Sequence, residues 1–519
     1  MNLIDFFDGG ALQNGNSPCF VAEDGATLTY AQVQAQTLRI ARALQRLGLE
    51  PGFHGAVMSA NDPLAFVAVL GIVRAEGAWL PVNVRNAVAA NVEFLDDMDC
   101  DVLFYQSRWS EQLPQIRSRC PRIRHFICLD DGAQGGDLSL ADWSRGESDE
   151  FFWSACDPEA TAVILATGGT TGRSKGVMLS HRNVAAMCAS QMSAARITHR
   201  MVYLAAAPIT HTAGLLALPF IARGARVILH DGVDPQRLLR AIERDRVEAL
   251  FLPPTAIYAL LTQPNVREFD LSSLRYLLYG AAPMSPDKLA EAIEVFGPVL
   301  YQGYGQSEVP GSISVLLPEE HFVDGQIAPR ERLSSAGRPY PFTRVAIAAD
   351  DGTVHRRPGE RGEIVAQGDI VMKGYYKNPQ ASAEASAGGW HRTGDIGYFD
   401  ADGFLYLVDR KKDMIITGGF NVYPAEVEAV LMAHPAVNEC AVVGVPDDKW
   451  GEAVKAVVEL RPNATVTESA LIELVKKELG SVKAPKSVEF ADQLPRSTVG
   501  KVLKRELRAR YWANSGRVI

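Results

Sequence analysis

Between residues 160 and 300 the chain alternates short apolar runs with stretches in which apolar residues recur every three or four positions. Ala162–Ala166 predicts a strand, and Ser180 is placed to cap the helix that follows the intervening glycine-rich loop. Residues 225–230 (ARVILH) predict a strand, and residues 234–247 (DPQRLLRAIERDRV) a helix with its apolar positions at helical spacing. Residues 248–252 (EALFL) predict a strand, residues 254–263 (PTAIYALLTQ) a helix, and residues 274–280 (LRYLLYG) a strand. Ser285-Pro286 then gives the helix of DKLAEAIEVFG a cap and a first-turn proline. Repeated strand–helix units imply an α/β architecture, a parallel sheet with helices on both faces. Ligands of such sheets lie beyond the carboxyl ends of the strands. Two sequences fall at those ends, GAAPM (280–284) and QGYGQSE (302–308).

The pattern changes near Asp409. Before it, DGFLYLVDR reads as a strand pair with its turn at Asp402-Gly403. After it, KKDMIITGGFN is a charged, glycine-rich joint, followed by about 110 residues, enough for a small domain. These predict a helix after Pro424, a strand at ECAVVGV, and a helix opened by a Thr465–Glu468 capping box. On that last helix Leu471, Leu474, Val475 and Leu479 share a face, and Gly480 marks its stop. The uncharged segment Tyr203–Ala222 has the length of a membrane span, about 20 residues. Pro208, Thr210, His211, Thr212, Gly214 and Pro219 interrupt it, which favours a buried loop and helix bounded by the two prolines.

Composition narrows the class. A chain of 519 residues exceeds one ordinary core and implies at least two domains. The net charge of −9 argues against nucleic acid as a partner. Seven cysteines, without a Cys-x-x-Cys pair, fit a reducing cytoplasm rather than a disulfide framework or a zinc site. The acidic start, MNLIDFFDGG, lacks the plan of a signal peptide, so a cytoplasmic location is expected. Oligomeric state is not legible.

The stretch LATGGTTGRSKGVMLSHRN (165–183) follows the first predicted strand and crowds glycines and hydroxyls beside Arg173 and Lys175. Glycines let backbone amides turn toward an anion, and hydroxyls add donors, so the loop suits phosphate. It is not a Walker A loop: that motif needs Gly-Lys-Ser/Thr, and here Lys175 precedes Gly176.

Seven motifs, TGGTTGRSKG, PITHTAG, YGAAP, YGQSE, WHRTGD, DRKKDMIITGGFNVYPAEVE and PRSTVGKVLKREL, occur in the order expected of acyl-adenylate-forming enzymes. The chain resembles that superfamily over nearly its whole length, most of all its fatty-acid and aromatic-acid CoA synthetases. The resemblance implies a large N-terminal domain (1–409) with doubly wound sheets, a small mobile α+β C-terminal domain (410–519), and an active site between them. It also implies a two-step reaction. An apolar monocarboxylic acid attacks the α-phosphate of ATP, giving acyl-AMP and pyrophosphate, and CoA then takes the acyl group. An amine or a carrier-protein thiol is the alternative acceptor. Charge developing on phosphate oxygens in the first step calls for amides, hydroxyls, a cation and Mg²⁺.

Residue by residue, the resemblance makes Thr167, Gly168, Gly169, Thr170, Thr171, Gly172 and Lys175 the phosphate loop, with Ser174 where a proline is usual and Gly168 where a hydroxyl residue is usual. Ala281, Ala282 and Tyr304 resemble the adenine contacts. Ser307, where a threonine is usual, resembles the α-phosphate contact, and Glu308 the Mg²⁺ ligand. Asp395 resembles the ribose-binding carboxylate, and Arg410 a ribose or phosphate contact. Lys412 resembles the hinge, with Gly418, Gly419 and Phe420 bordering the pantetheine tunnel. Trp450 is either a CoA contact or a core residue. Gly280 and Gly303 are expected to widen the acyl pocket. His211 would lie beside the carboxylate and could switch charge, though a histidine in an apolar run is commonly a satisfied core residue. In the last motif Lys501 resembles the adenylation lysine, whereas Lys504, Arg505 and Arg508 read as the solvated face of a basic helix. Fatty, aromatic and alicyclic acids remain equally open.

Overall fold

The computed structural model describes the chain except residues 155–156, 168–174, 419, 448, 497–501 and 514–519. Two compact units result, Met1–Val345 with Ala366–His391, and Ala346–Val365 with Arg392–Ile519.

The first unit is built on two large sheets. One runs Arg338–Pro339, Val309–Leu316, Leu300–Gln306, Tyr276–Gly280, Ala249–Phe251, Val202–Ala205, Arg226–Leu229, Pro18–Val21, Thr27–Thr29. Its centre, from Leu300–Gln306 to Pro18–Val21, is parallel, and its edges are antiparallel. The strands and helices expected here form within one or two residues of the bounds read from the sequence. The helix Pro235–Asp245 shows why: Asp234 caps it by accepting from the Arg237 amide at 2.7 Å, and Pro235 fills the first turn. Leu238, Leu239 and Ile242 from that helix, with Ile257 and Leu260 from the next, bury against Leu204, Leu250, Leu277 and Leu300 of the strands.

The second sheet runs Gly374–Tyr375, Gly176–Ser180, Thr161–Ala166, Ala78–Pro81, His54–Met58, Val102–Tyr105, His125–Cys128, Leu138–Ser139. It is parallel from Thr161–Ala166 onward. The glycine-rich loop therefore joins two antiparallel strands, and the helix His181–Ala194, boxed by Ser180 and Asn183, starts only after the second of them. A Walker A loop, by contrast, opens directly into its helix.

The uncharged segment divides into a buried strand, Val202–Ala205, and a helix, Thr212–Ile221. Pro219 lies inside this helix rather than bounding it. The end of the helix is held by Tyr30, whose hydroxyl donates to the carbonyls of Ile221 at 3.1 Å and Ala225 at 2.8 Å. Among the described residues no helix is long and apolar enough to cross a membrane.

The division between the units falls before the Asp409 joint because Leu405–Arg410 pairs with Trp390–Phe399 and so shares its sheet. The glycine-rich joint also contains a hairpin, Ile415–Thr417 with Phe420–Val422. This hairpin belongs to a five-stranded sheet with Gly451–Leu460, Val437–Asp447 and Ser487–Phe490. Alternation along Val437–Asp447 buries Val442 on one face and Ala441 and Val443 on the other. Leu471 and Val475 of the helix Glu468–Leu479 complete the first face. That helix is capped by Thr467, not by a Thr465–Glu468 box, since the Glu468 carboxylate accepts from the Val488 amide at 2.8 Å.

Candidate active site

The glycine-rich loop is closed at its feet. The Thr167 amide donates to the Lys175 carbonyl at 3.0 Å, and the Thr167 hydroxyl reaches the same oxygen at 3.4 Å. Gly168, Gly169, Thr170, Thr171 and Gly172 lie outside the described residues. At the second foot the Lys175 ammonium lies 4.9 Å from the centroid of the Tyr375 ring.

Tyr375 ties this foot to Glu308. It occupies the edge strand beside Gly176–Ser180, in register with Val177. Its hydroxyl donates to Glu308 Oε1 at 2.8 Å, and the Met372 amide donates to the Glu308 carbonyl at 2.9 Å. Burial, with the adjacent Glu308 carboxylate, raises the Tyr375 phenol above its ordinary range and keeps it a donor. Oε2 of Glu308 makes no hydrogen bond among the described residues. The described residues hold no cluster of three or more His, Cys, Asp or Glu side chains suited to a metal. A lone, half-engaged carboxylate fits Mg²⁺, which completes its shell with water and substrate phosphate. The sequence did not single out Tyr375: it lies 67 residues from Glu308, and only the pairing of its short edge strand brings the two together.

Ala281 and Ala282 follow the strand Tyr276–Gly280, and Tyr304 lies on the neighbouring strand Leu300–Gln306, with Ser307 in the turn beyond it. All four cluster where strand topology places ligands. Ala281 has φ +64°, a left-handed conformation rare for a residue with a side chain. The two glycines differ. A methyl group at Gly280 would strike the Gly303 carbonyl, so Gly280 permits close pairing of two strands. A methyl group at Gly303 would meet nothing nearer than 3.6 Å.

His211 precedes the first turn of the helix Thr212–Ile221, and its carbonyl accepts from the Gly214 amide at 2.9 Å. Burial pushes its imidazole down to about 4. Burial therefore favours the neutral ring near pH 7.

In the second unit, Asp395 and Arg410 face each other across the hairpin, with Arg410 Nε 3.2 Å from Asp395 Oδ1. Beside them Thr393, Gly394, Arg410, Lys411 and Lys412 line a cleft of about 340 Å³. Buried Glu363 braces this cleft, accepting from Arg392 Nη2 at 2.6 Å, Lys411 Nζ at 3.1 Å and the Gly394 amide at 3.1 Å. Burial alone would raise the Glu363 carboxyl, but the Arg392 and Lys411 contacts outweigh it and lower it.

Gly418 has φ +58°, and a methyl group there would come within 2.6 Å of the Trp450 ring. Trp450 is 41% exposed and Phe420 59%, so Trp450 is no core residue; Lys449 Nζ lies 4.7 Å from its ring centroid. Gly419 and Lys501 lie outside the described residues. The basic helix Lys504–Trp512 departs from the solvated face expected of it. Lys504 Nζ is 2.7 Å from Glu428 Oε1, and Arg508 bonds Glu452 at 3.0 Å and the Lys412 carbonyl at 3.2 Å.

The family described as AMP-binding enzyme matches residues 7–376, and the AMP-binding enzyme C-terminal domain matches residues 426–501. Among curated proteins, the medium/long-chain-fatty-acid–CoA ligase FadD8 of Mycobacterium tuberculosis is 42% identical, covering 98% of this chain and 90% of its own. The feruloyl-CoA synthase of an Amycolatopsis species is 36% identical over 95% of both chains. Among solved structures, the amide bond synthetase McbA of Marinactinospora thermotolerans superposes with a TM-score of 0.88 at 31% identity, covering 98% of this chain and 100% of that one.

Proposed function

The chain belongs to the AMP-binding enzyme family, and we propose that it is an AMP-forming acid–thiol ligase acting on a carboxylic acid with an apolar body. The observation that carries this reading is the grouping of Lys175, Tyr375 and Glu308 at the foot of the phosphate loop. A carboxylate oxygen of the acid bonds to the α-phosphorus of ATP as the bond to pyrophosphate breaks. The CoA sulfur then bonds to the acyl carbon, AMP leaves with the electron pair, and the thiol proton passes to solvent.

Each group has a role suited to its chemistry. The loop amides and hydroxyls, with Lys175, hold the β- and γ-phosphates. Ala281, Ala282 and Tyr304 hold adenine, Ser307 the α-phosphate, and Asp395 with Arg410 the ribose. Glu308, oriented by Tyr375, would hold Mg²⁺, which when bound neutralises charge on the phosphates. Lys501 orients acid and nucleotide. Neutral His211 lines the acyl site as a hydrogen-bonding group. Lys412 is the hinge, and Gly418, Gly419 and Phe420 border the path of the thiol.

A second reading keeps the adenylation and changes the acceptor to an amine, and the likeness to McbA favours it. Pyrophosphate release that requires both ATP and an acid tests the first step. Mass analysis of products with CoA, and with amines in its place, then decides the acceptor. Pyrophosphate release that needs no acid would overturn both readings.

A further inference from the structure

In the nine-stranded sheet two neighbouring glycines are partly exposed and border a space. Gly303 pairs with Val315 on the adjacent strand, and Gly311 lies beside it across a bulge in that pairing. The atoms bounding the space come from three other elements. A methyl group at Gly303 would meet the Gly311 carbonyl at 3.6 Å and the Tyr340 hydroxyl at 4.0 Å. At Gly311 it would meet the Gln191 amide nitrogen at 3.3 Å and Leu216 Cδ2 at 3.5 Å. Gln191 comes from the helix His181–Ala194 and Leu216 from the helix Thr212–Ile221.

Gln191 is only 4% exposed, yet among the described residues its side-chain amide makes no hydrogen bond. An amide so enclosed that bonds no protein group keeps its hydrogen-bonding capacity for whatever occupies the space it borders. Tyr340 adds a second unspent donor. Its hydroxyl lies 2.9 Å from that of Tyr301, both rings are buried, and one of the two hydroxyl hydrogens has no acceptor within the pair. Donors aimed at a space bounded by glycines and a leucine call for an acceptor oxygen on an otherwise apolar molecule. Leu216 follows His211 by five residues, about 7–8 Å along a helix. The polar corner therefore lies away from the end of the site where His211 would meet the carboxylate.

We propose that Gln191, with the Tyr301–Tyr340 hydroxyl pair, is a specificity determinant for an acid bearing an oxygen acceptor remote from its carboxylate. A phenol, aryl ether or ketone is then preferred to a plain hydrocarbon acid. This rests on reading the chain as an acid-activating ligase whose acyl site adjoins Gly303.

The test uses pairs of acids matched in shape, 4-methoxycinnamate with 4-ethylcinnamate and 9-oxodecanoate with decanoate, in acid-dependent pyrophosphate release and in calorimetric binding of the acid. The wild type should favour the oxygenated member of at least one pair by about tenfold in kcat/KM, as one neutral hydrogen bond supplies. Gln191→Leu should bring the members of that pair to parity. It should not lower the thermal midpoint, since it removes a polar group that has no protein partner. If Gln191→Leu does not fold, Tyr340→Phe should narrow the same gap. Equal use of both members of both pairs by the wild type would overturn the proposal. So would a preference that survives Gln191→Leu, or Tyr340→Phe in its place, as a fixed water meeting the amide would allow. Pyrophosphate release with no acid at all would instead overturn the ligase reading on which the proposal depends.

Discussion

If Glu308 holds the cation proposed for it, one correctly aimed oxygen suffices, and Tyr375 fixes the carboxylate through a hydrogen bond at 2.8 Å. Replacing the carboxylate with an amide removes charge where a hard cation needs it. Glu308→Gln should therefore cut acyl-AMP formation by about 10²-fold or more, as loss of a preorganised electrostatic contact does. Tyr375→Phe keeps the ring under Lys175 and removes only the hydrogen bond to Glu308. It should cost about tenfold and raise the Mg²⁺ concentration at half-maximal rate. Half-reaction rates measured across a Mg²⁺ titration check both; an unchanged Mg²⁺ midpoint in Glu308→Gln would remove the carboxylate from the metal site. Lys501→Ala should abolish most adenylation yet still convert supplied acyl-AMP and CoA to thioester, checked by single-turnover kinetics of each step. Glu308 and Lys501 could be named as candidates because each stands in a motif of characteristic order, though Lys501 lies outside the described residues. Tyr375 was not, since strand register and not sequence proximity sets its role. The charge state of His211 was hidden too, because it depends on what buries the ring.

Elements were legible where the local signals agreed. The helix Pro235–Asp245 has cap, first-turn proline and apolar spacing in accord, whereas the helix Glu468–Leu479 offers two threonines two residues apart. Long-range contacts decide the second case, by diverting the Glu468 carboxylate to the Val488 amide. The same limit applies to the helix Lys504–Trp512. Its charge pattern predicts a solvated face, but Glu428 on the helix Pro424–Met432 draws Lys504 inward. The Glu428 carboxylate also accepts from the Val442 amide at 2.6 Å, so it is fixed in place. Burial would lower the Lys504 ammonium, but Glu428 and Asp409 outweigh it and hold it above its ordinary value. Lys504→Met should leave a buried carboxylate unpaired and lower stability by ~3 kcal/mol. Adding Glu428→Leu should restore part of that loss, because it removes the unpaired carboxylate but leaves the buried Val442 amide without its acceptor. Denaturant unfolding of the two variants, with hydrogen exchange across 504–512, reads this directly. Additive losses in the double variant would show that the pair is not coupled.

At the scale of the whole molecule the matter is how one chain serves two chemical steps. The second unit contains two sheets, and Lys412 lies in the turn between the last strand of one, Leu405–Arg410, and the first of the other, Ile415–Thr417. A rotation there would leave both sheets intact and break only what spans the turn. In this conformation the contacts that span the turn among the described residues include Arg361 Nη1 to Glu426 at 2.8 Å, the Arg361 guanidinium 5.6 Å from the Tyr423 ring centroid, the Ala425 amide to Asp409 at 2.7 Å, and Arg508 to the Lys412 carbonyl at 3.2 Å. Such contacts are the kind that exchange between two states. Proline at Lys412 would fix φ near −65° and disfavour the helical region for Lys411. It removes no backbone hydrogen bond donated by Lys412 among the described residues, but it strains the turn in which the Arg410 carbonyl accepts from the Asp413 and Met414 amides at 2.9 and 3.1 Å, and so disfavours this arrangement. If rotation about this residue presents Lys501 for adenylation and the Gly418–Phe420 segment for thiol transfer, then Lys412→Pro should hold the chain in one of the two arrangements. One half-reaction should then keep most of its rate while the other falls by about 10²-fold or more, the scale set by misplacing a preorganised group. Acyl-AMP formation followed by pyrophosphate release, and thioester formation from supplied acyl-AMP and CoA, separate the two steps. Equal losses in both, in a variant with an unchanged thermal midpoint, would rule out rotation about Lys412 as the step that divides the reaction.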